Sequence, residues 1–127
     1  MEVTTVMGLY RFARIIAERN GWAVRYEGIK LPRIICGDGF SMSVQAGRMY
    51  YSSPREDLAD EYTAFEIGYP SYRESLLDEY CEVDPDMVQF DEDNFEAVYP
   101  FVPTEVIQQV IDKHGGFLGI DPTGGES

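Results

Sequence analysis

Between residues 56 and 96 the chain carries fifteen carboxylates and a single cation, Arg73. The acids are Glu56, Asp57, Asp60, Glu61, Glu66, Glu74, Asp78, Glu79, Glu82, Asp84, Asp86, Asp91, Glu92, Asp93 and Glu96. The segment sums to −14, against +4 for residues 1–55 and −3 for residues 97–127. Charge is therefore sorted along the sequence rather than spread for solubility. Like charges gathered in one fold repel, and a net charge of −13 costs stability. A concentrated acidic surface also attracts cationic partners and speeds encounter with them. The pattern points to a protein that binds something basic.

At 127 residues the chain is expected to form one domain. A chain of this size buries roughly 65–70% of its unfolded surface and needs neither metal nor disulfides to fold. Nine Tyr and seven Phe argue against disorder, which is poor in aromatics. Cys36 and Cys81 lie in apolar-leaning segments and read as two buried free thiols of a cytosolic protein, with a disulfide between them as the alternative. The start Met1-Glu2-Val3-Thr4 has no cationic run leading into an apolar one, so no secretory signal is expected. No stretch approaches the ~20 apolar residues of a membrane span. The expectation is a soluble, cytoplasmic protein. Direct binding to nucleic acid is disfavoured, because phosphate contacts need Lys and Arg.

Residues 5–20 read as a helix, with Val6, Leu9, Ala13, Ile16 and Ala17 on one face and Thr4 or Thr5 as N-cap. Arg11, Arg14 and Arg19 give it a cationic outer face. Strands are predicted at residues 22–27, 33–36 and 40–45, the last two joined by the turn Gly37-Asp38-Gly39. Residues 48–52 read as a hairpin partner after Gly47, and residues 62–69 as a fifth strand. Glu56, Asp57, Asp60 and Glu61 are expected on a short helix after Pro54, paired at i, i+4. Ser71 and Glu74 suggest a capping box opening a helix whose apolar side is Leu76, Leu77 and Tyr80. Residues 82–94 read as irregular, and 95–102 as a strand that Pro100 confines to a sheet edge. A final helix is expected from Thr104, striped by Val106, Ile107, Val110 and Ile111 and ended by Gly115-Gly116.

The fold class is thus α+β: a single domain, residues 1–120, with an antiparallel sheet of about five strands and the N- and C-terminal helices packed on it. Residues 121–127 read as a flexible tail. The expected core is Trp22, Val24, Tyr26, Phe40, Met42, Val44, Phe65, Ile67, Val106 and Val110.

No catalytic constellation emerges. The only histidine, His114, falls in the last turn of the C-terminal helix, where the helix dipole favours a cation. Catalysis there would need a nucleophile or carboxylate beside it, and its sequence neighbours supply neither. Gly37-Asp38-Gly39 lacks the rest of a phosphate-binding loop. Two cysteines and one distant histidine make no zinc signature. Asp84, Asp86, Asp91, Glu92, Asp93 and Glu96 carry the oxygens calcium takes, but without the spacing or glycine of an EF-hand, and read as a solvated acidic loop. No metal or cofactor is expected.

The acids interleave with aromatics, and aromatics beside charges mark interfaces where a purely solvated face needs none. Three readings remain open: a solubilising face, a mimic of the nucleic-acid phosphate array, and self-association through opposite charges. A small enzyme using a carboxylate pair is a further alternative. With Tyr62, Tyr69, Tyr72 and Tyr80 set among its acids, the segment resembles, by type, small acidic phage-encoded counter-defence proteins, the anti-CRISPR and DNA-mimic anti-restriction inhibitors. That resemblance implies a non-catalytic inhibitor that binds a defence complex at its basic nucleic-acid channel and blocks DNA binding. The surface expected to make contact comprises Glu56, Asp57, Asp60, Glu61, Glu66, Glu74, Asp78, Glu79, Glu82, Asp91, Glu92, Asp93, Glu96 and Tyr72. The molecule would act as a monomer or homodimer.

Overall fold

Helix α1 spans Val6–Arg19 and starts where Thr5 Oγ1 accepts the Gly8 N–H at 3.0 Å, a threonine N-cap. Its inward stripe is Val6, Leu9, Tyr10 and Ala13, spaced i, i+3, i+4, i+7. Ile16, expected on that stripe, is exposed, and Tyr10 takes its place in the core. The computed structural model describes residues 4–19, 30–87 and 97–121. The strand expected at residues 22–27, with Trp22, Val24 and Tyr26, lies outside the described residues, as do residues 122–127 of the expected tail.

The sheet is antiparallel throughout. Its strands are β1 (Arg33–Cys36), β2 (Ser41–Gln45), β3 (Ala64–Gly68), β4 (Val98–Pro103) and β5 (Phe117–Asp121), in the order β4-β3-β2-β1-β5. The first four form a meander. Helix α2 (Thr104–Lys113) then carries the chain from one edge strand, β4, to the other, β5. Two short 3-10 helices, Ser75–Tyr80 and Pro85–Met87, lie between β3 and β4. No helix among the described residues is long and apolar enough to cross a membrane.

Alternation sorts the sheet into two faces. Ile34, Met42, Val44, Phe65, Ile67, Tyr99 and Val102 point to one side, where α1 and α2 cover them in one apolar cluster. Phe40, Met42, Val44, Phe65, Ile67 and Val110 are buried as the sequence predicts, and Val106 is half-buried. The outer face is polar but not open. Ser43 and Gln45 are both buried, because the Gln45 amide makes two 2.8 Å bonds to the Leu31 backbone, one donated and one accepted. β4 is an edge strand, the position its Pro100 requires.

Four local expectations fail. Residues 48–52 form no strand. Gly47 (φ +151°) turns the chain, and a Cβ there would come within 2.7 Å of Asp57 Oδ1, which accepts the Arg48 N–H at 3.0 Å. Residues 55–61 form no helix but a turn pinned by tyrosines. Tyr62 donates to Glu56 O at 2.6 Å and Tyr10 donates to Ala59 O. The i, i+4 pairing of Glu56 with Asp60 and of Asp57 with Glu61 therefore does not exist. The capping box is replaced as well: Ser71 pairs with Ser41, while Glu74 itself caps a 3-10 helix by accepting the Leu76 N–H at 2.7 Å. Finally, β5 was not foreseen, and it takes Asp121 into the sheet rather than the tail.

Candidate functional site

Acids described within residues 56–86 divide by their surroundings. Glu56, Asp60, Glu61, Glu79, Glu82, Asp84 and Asp86 are exposed, and Asp57, Glu66 and Asp78 are half-buried. Glu74 is buried, at 2% exposure. Asp91, Glu92, Asp93 and Glu96 lie outside the described residues. Some exposed acids are paired: Asp60 with Arg14 at 3.2 Å, and Asp86 with Arg73 at 3.0 Å. Arg73 also grips Asp78 through Nε and Nη2 (3.2 and 3.1 Å), which ties the two 3-10 helices together. Glu56, Glu61, Glu79 and Glu82 have no ion-pair partner among the described residues. Arg73 is the one cation in this stretch, so the 3-10 helices present a surface of strongly negative balance.

Glu74 belongs to a different construction. The β1–β2 turn, the start of the first 3-10 helix and the end of α2 meet at His114, which is 6% exposed. Gly39 (φ +95°) makes the turn, and Asp38 Oδ1 accepts the Phe40 N–H at 2.9 Å. The turn docks on the helix end backbone to backbone. Asp38 N–H donates to His114 O and Gly37 N–H to Gly116 O, both at 2.9 Å. A Cβ on Gly37 would lie 2.5 Å from Gly115 O, so only glycine permits this approach.

Within that junction the imidazole is held on both sides. His114 Nδ1 lies 2.7 Å from Asp38 Oδ2 and Nε2 lies 2.6 Å from Glu74 Oε1. Neutral imidazole has one N–H, so the imidazolium alone donates to both carboxylates. Phe40 stacks on the ring at 4.2 Å, and the Tyr72 hydroxyl lies 3.2 Å from Nδ1. Lys113 Nζ reaches Glu74 Oε2 at 2.9 Å. Burial alone would raise the Glu74 pKa, but the Leu76 N–H, Lys113 and His114 outweigh it and hold the carboxyl below its usual value. The Asp38 carboxyl is also held low, first by the Phe40 N–H and then by His114.

This corrects two expectations. His114 does have carboxylates beside it, brought from 76 and 40 positions away in sequence. Glu74, expected on the contact surface, is turned inward and spent on the fold. With both ring nitrogens committed, His114 has none left to take a proton from a substrate. The two carboxylates flank the ring on opposite nitrogens and do not converge on a common point. No three His, Cys, Asp or Glu side chains among the described residues form a metal-holding group. Both cysteines are free, and burial pushes the Cys36 thiol up to about 11, which leaves it unreactive. The arrangement is a charged clamp joining three segments.

Glu66 stands apart from both groups. It sits on the outer face of β3, and Oε1 accepts the Tyr51 N–H at 3.3 Å. Burial raises its pKa against that bond, Glu82 adds to the rise, and Arg55 opposes it. No protein-family model, curated protein or solved structure matches the chain.

Proposed function

We propose that the protein is a non-catalytic inhibitor whose acidic surface occupies a basic nucleic-acid-binding channel of a defence complex such as a CRISPR effector. One observation carries the reading: seven of the eleven acids described within residues 56–86 are exposed, with a single cation, Arg73, in the same stretch. Duplex DNA presents one charge per ~1.7 Å of axis, and a run of solvated carboxylates on turns and short 3-10 helices is a protein counterpart of such an array. The commitment of His114 to two carboxylates supports the non-catalytic side of the reading. The contact surface is revised accordingly: Glu79, Glu82, Asp84 and Asp86 form one part and Glu56, Asp60 and Glu61 another. Glu74 is excluded.

Immobilised protein incubated with bacterial lysate tests this. The captured partner is expected to be released by duplex DNA and by salt, because exposed charges are screened beyond a Debye length of ~8 Å at physiological ionic strength. The triple variant Glu79→Gln, Glu82→Gln, Asp84→Asn should capture less. A partner that holds on through DNA, salt and patch neutralisation alike would rule out the mimic.

A further inference from the structure

On the outer face of the sheet lies a hollow of about 200 Å³, bordered by Lys30, Ser43, Tyr50, Glu66, Gly68 and Tyr69 among others. Gly68 on β3 borders it, and a Cβ there would meet nothing within 4 Å. Glu66 stands two residues earlier on the same strand face. It is half-buried, one carboxylate oxygen takes the Tyr51 N–H, and Oε2 has no hydrogen-bond partner among the described residues. Partial burial strips some water from this carboxylate, and a bound cation would offset that cost more closely than Arg55, whose charge already acts on it.

Size and chemistry narrow the occupant. Pockets for cofactors and drug-sized ligands run to roughly 300–1,000 Å³, so this one suits a single side chain. Two tyrosines on its border favour a cation that can lie against an aromatic ring. Lys30 also borders the hollow and is exposed. A guanidinium is delocalised and weakly hydrated, stacks on aromatic rings and matches a carboxylate at two points, which a compact ammonium does not.

We propose that the hollow seats an arginine side chain, its guanidinium against the Glu66 carboxylate and alongside Tyr50 and Tyr69. That the arginine belongs to a basic protein partner rests on the function proposed above. Arginine insertion then adds a fixed anchor to an otherwise diffuse acidic surface.

The test is an amide NMR titration of the full chain with Nα-acetyl-arginine amide, with Nα-acetyl-norleucine amide and free L-arginine as controls. Saturable shifts are expected at Ser43, Gly68 and Tyr69, with no response to the norleucine compound. Glu66→Gln removes the charge and keeps the shape. Gly68→Val fills the space and keeps the charge, and a β-branched residue suits a strand position. Each should weaken binding about tenfold or more. Thermal midpoints show whether the variants fold, and Glu66→Gln serves alone if Gly68→Val does not. Absent shifts, shifts indifferent to both variants, or equal binding of norleucine amide would overturn the site. Tighter binding of free L-arginine would overturn the side-chain assignment in favour of a free small molecule. The titration needs no partner, so its failure leaves the acidic-surface reading intact. Sound arginine binding with failed DNA competition would instead remove the proposed source.

Discussion

Glu74 and Glu79 stand five residues apart, one capping a 3-10 helix and the other near its end, yet their carboxylates have opposite fates. Glu74 is 2% exposed and bonded to His114, Lys113 and the Leu76 N–H. Glu79 is exposed and unpaired among the described residues. The first holds segments of the fold together, and the second adds only to the field outside it. The pair teaches that an acid-rich stretch is not one surface. Which carboxylates are available is decided by which distant side chains arrive, and here the His114 ring and Lys113 arrive from the end of α2.

The largest effect should separate these two positions. Glu74→Ala removes the buried acceptor of the Leu76 N–H, His114 Nε2 and Lys113 at once and is expected to cost about 2–3 kcal/mol, the penalty of leaving buried donors unsatisfied. Glu79→Ala should stay within about 0.5 kcal/mol of wild type, as exposed substitutions do. Denaturant melts of both variants check this, and equal losses would break the distinction between clamp and surface.

A smaller effect sharpens it through pH. The folded-state pKa values of Glu74 and Asp38 both lie below the ordinary values of 4.5 and 3.8. Their contribution is therefore complete above those ordinary values and drains away as pH falls through the lower, folded ones. Glu66 has the opposite sign: its raised pKa means that protonation relieves a cost. Acidification also reduces general repulsion in a chain of net charge −13. The difference between wild type and Glu74→Gln isolates the clamp. The stability gap should be full at pH 6 and narrow as pH drops below about 4.5. A gap constant with pH would mean that the clamp is not ionic.

Much of the architecture was legible because its signals are local. Pro103-Thr104, the stripe through Ile107, Val110 and Ile111, and Gly115-Gly116 fix α2 in sequence and are where the structure has them. Alternation at Met42 and Val44 gives the core face of β2. What escaped depends on distance. β5 is five residues long with Leu118 and Ile120 exposed, and only pairing with β1 makes it a strand. The turn through residues 55–61 follows tyrosines that reach backbone carbonyls, one of them from α1, which no i, i+4 rule can foresee. Charge sorting did identify a surface rich in solvated acids. It overcounted by Glu74, because nothing near position 74 announces the histidine forty residues later. Glu66 was expected on that surface, but the hollow beside it is bordered by Gly68 and by neighbours from other strands.

The backbone docking of the Gly37–Gly39 turn on the end of α2 also sets an order of events. Asp38, Glu74 and His114 are far apart in sequence, so closing those loops costs chain entropy before any bond among them forms. A junction of this kind belongs on the native side of the folding barrier. Its loss should therefore appear as faster unfolding with folding nearly unchanged, a signature that stopped-flow chevrons of Glu74→Ala would place in the unfolding arm. The clamp would then set how long a folded molecule persists more than how quickly it forms, and the acidic surface beside it would inherit that lifetime.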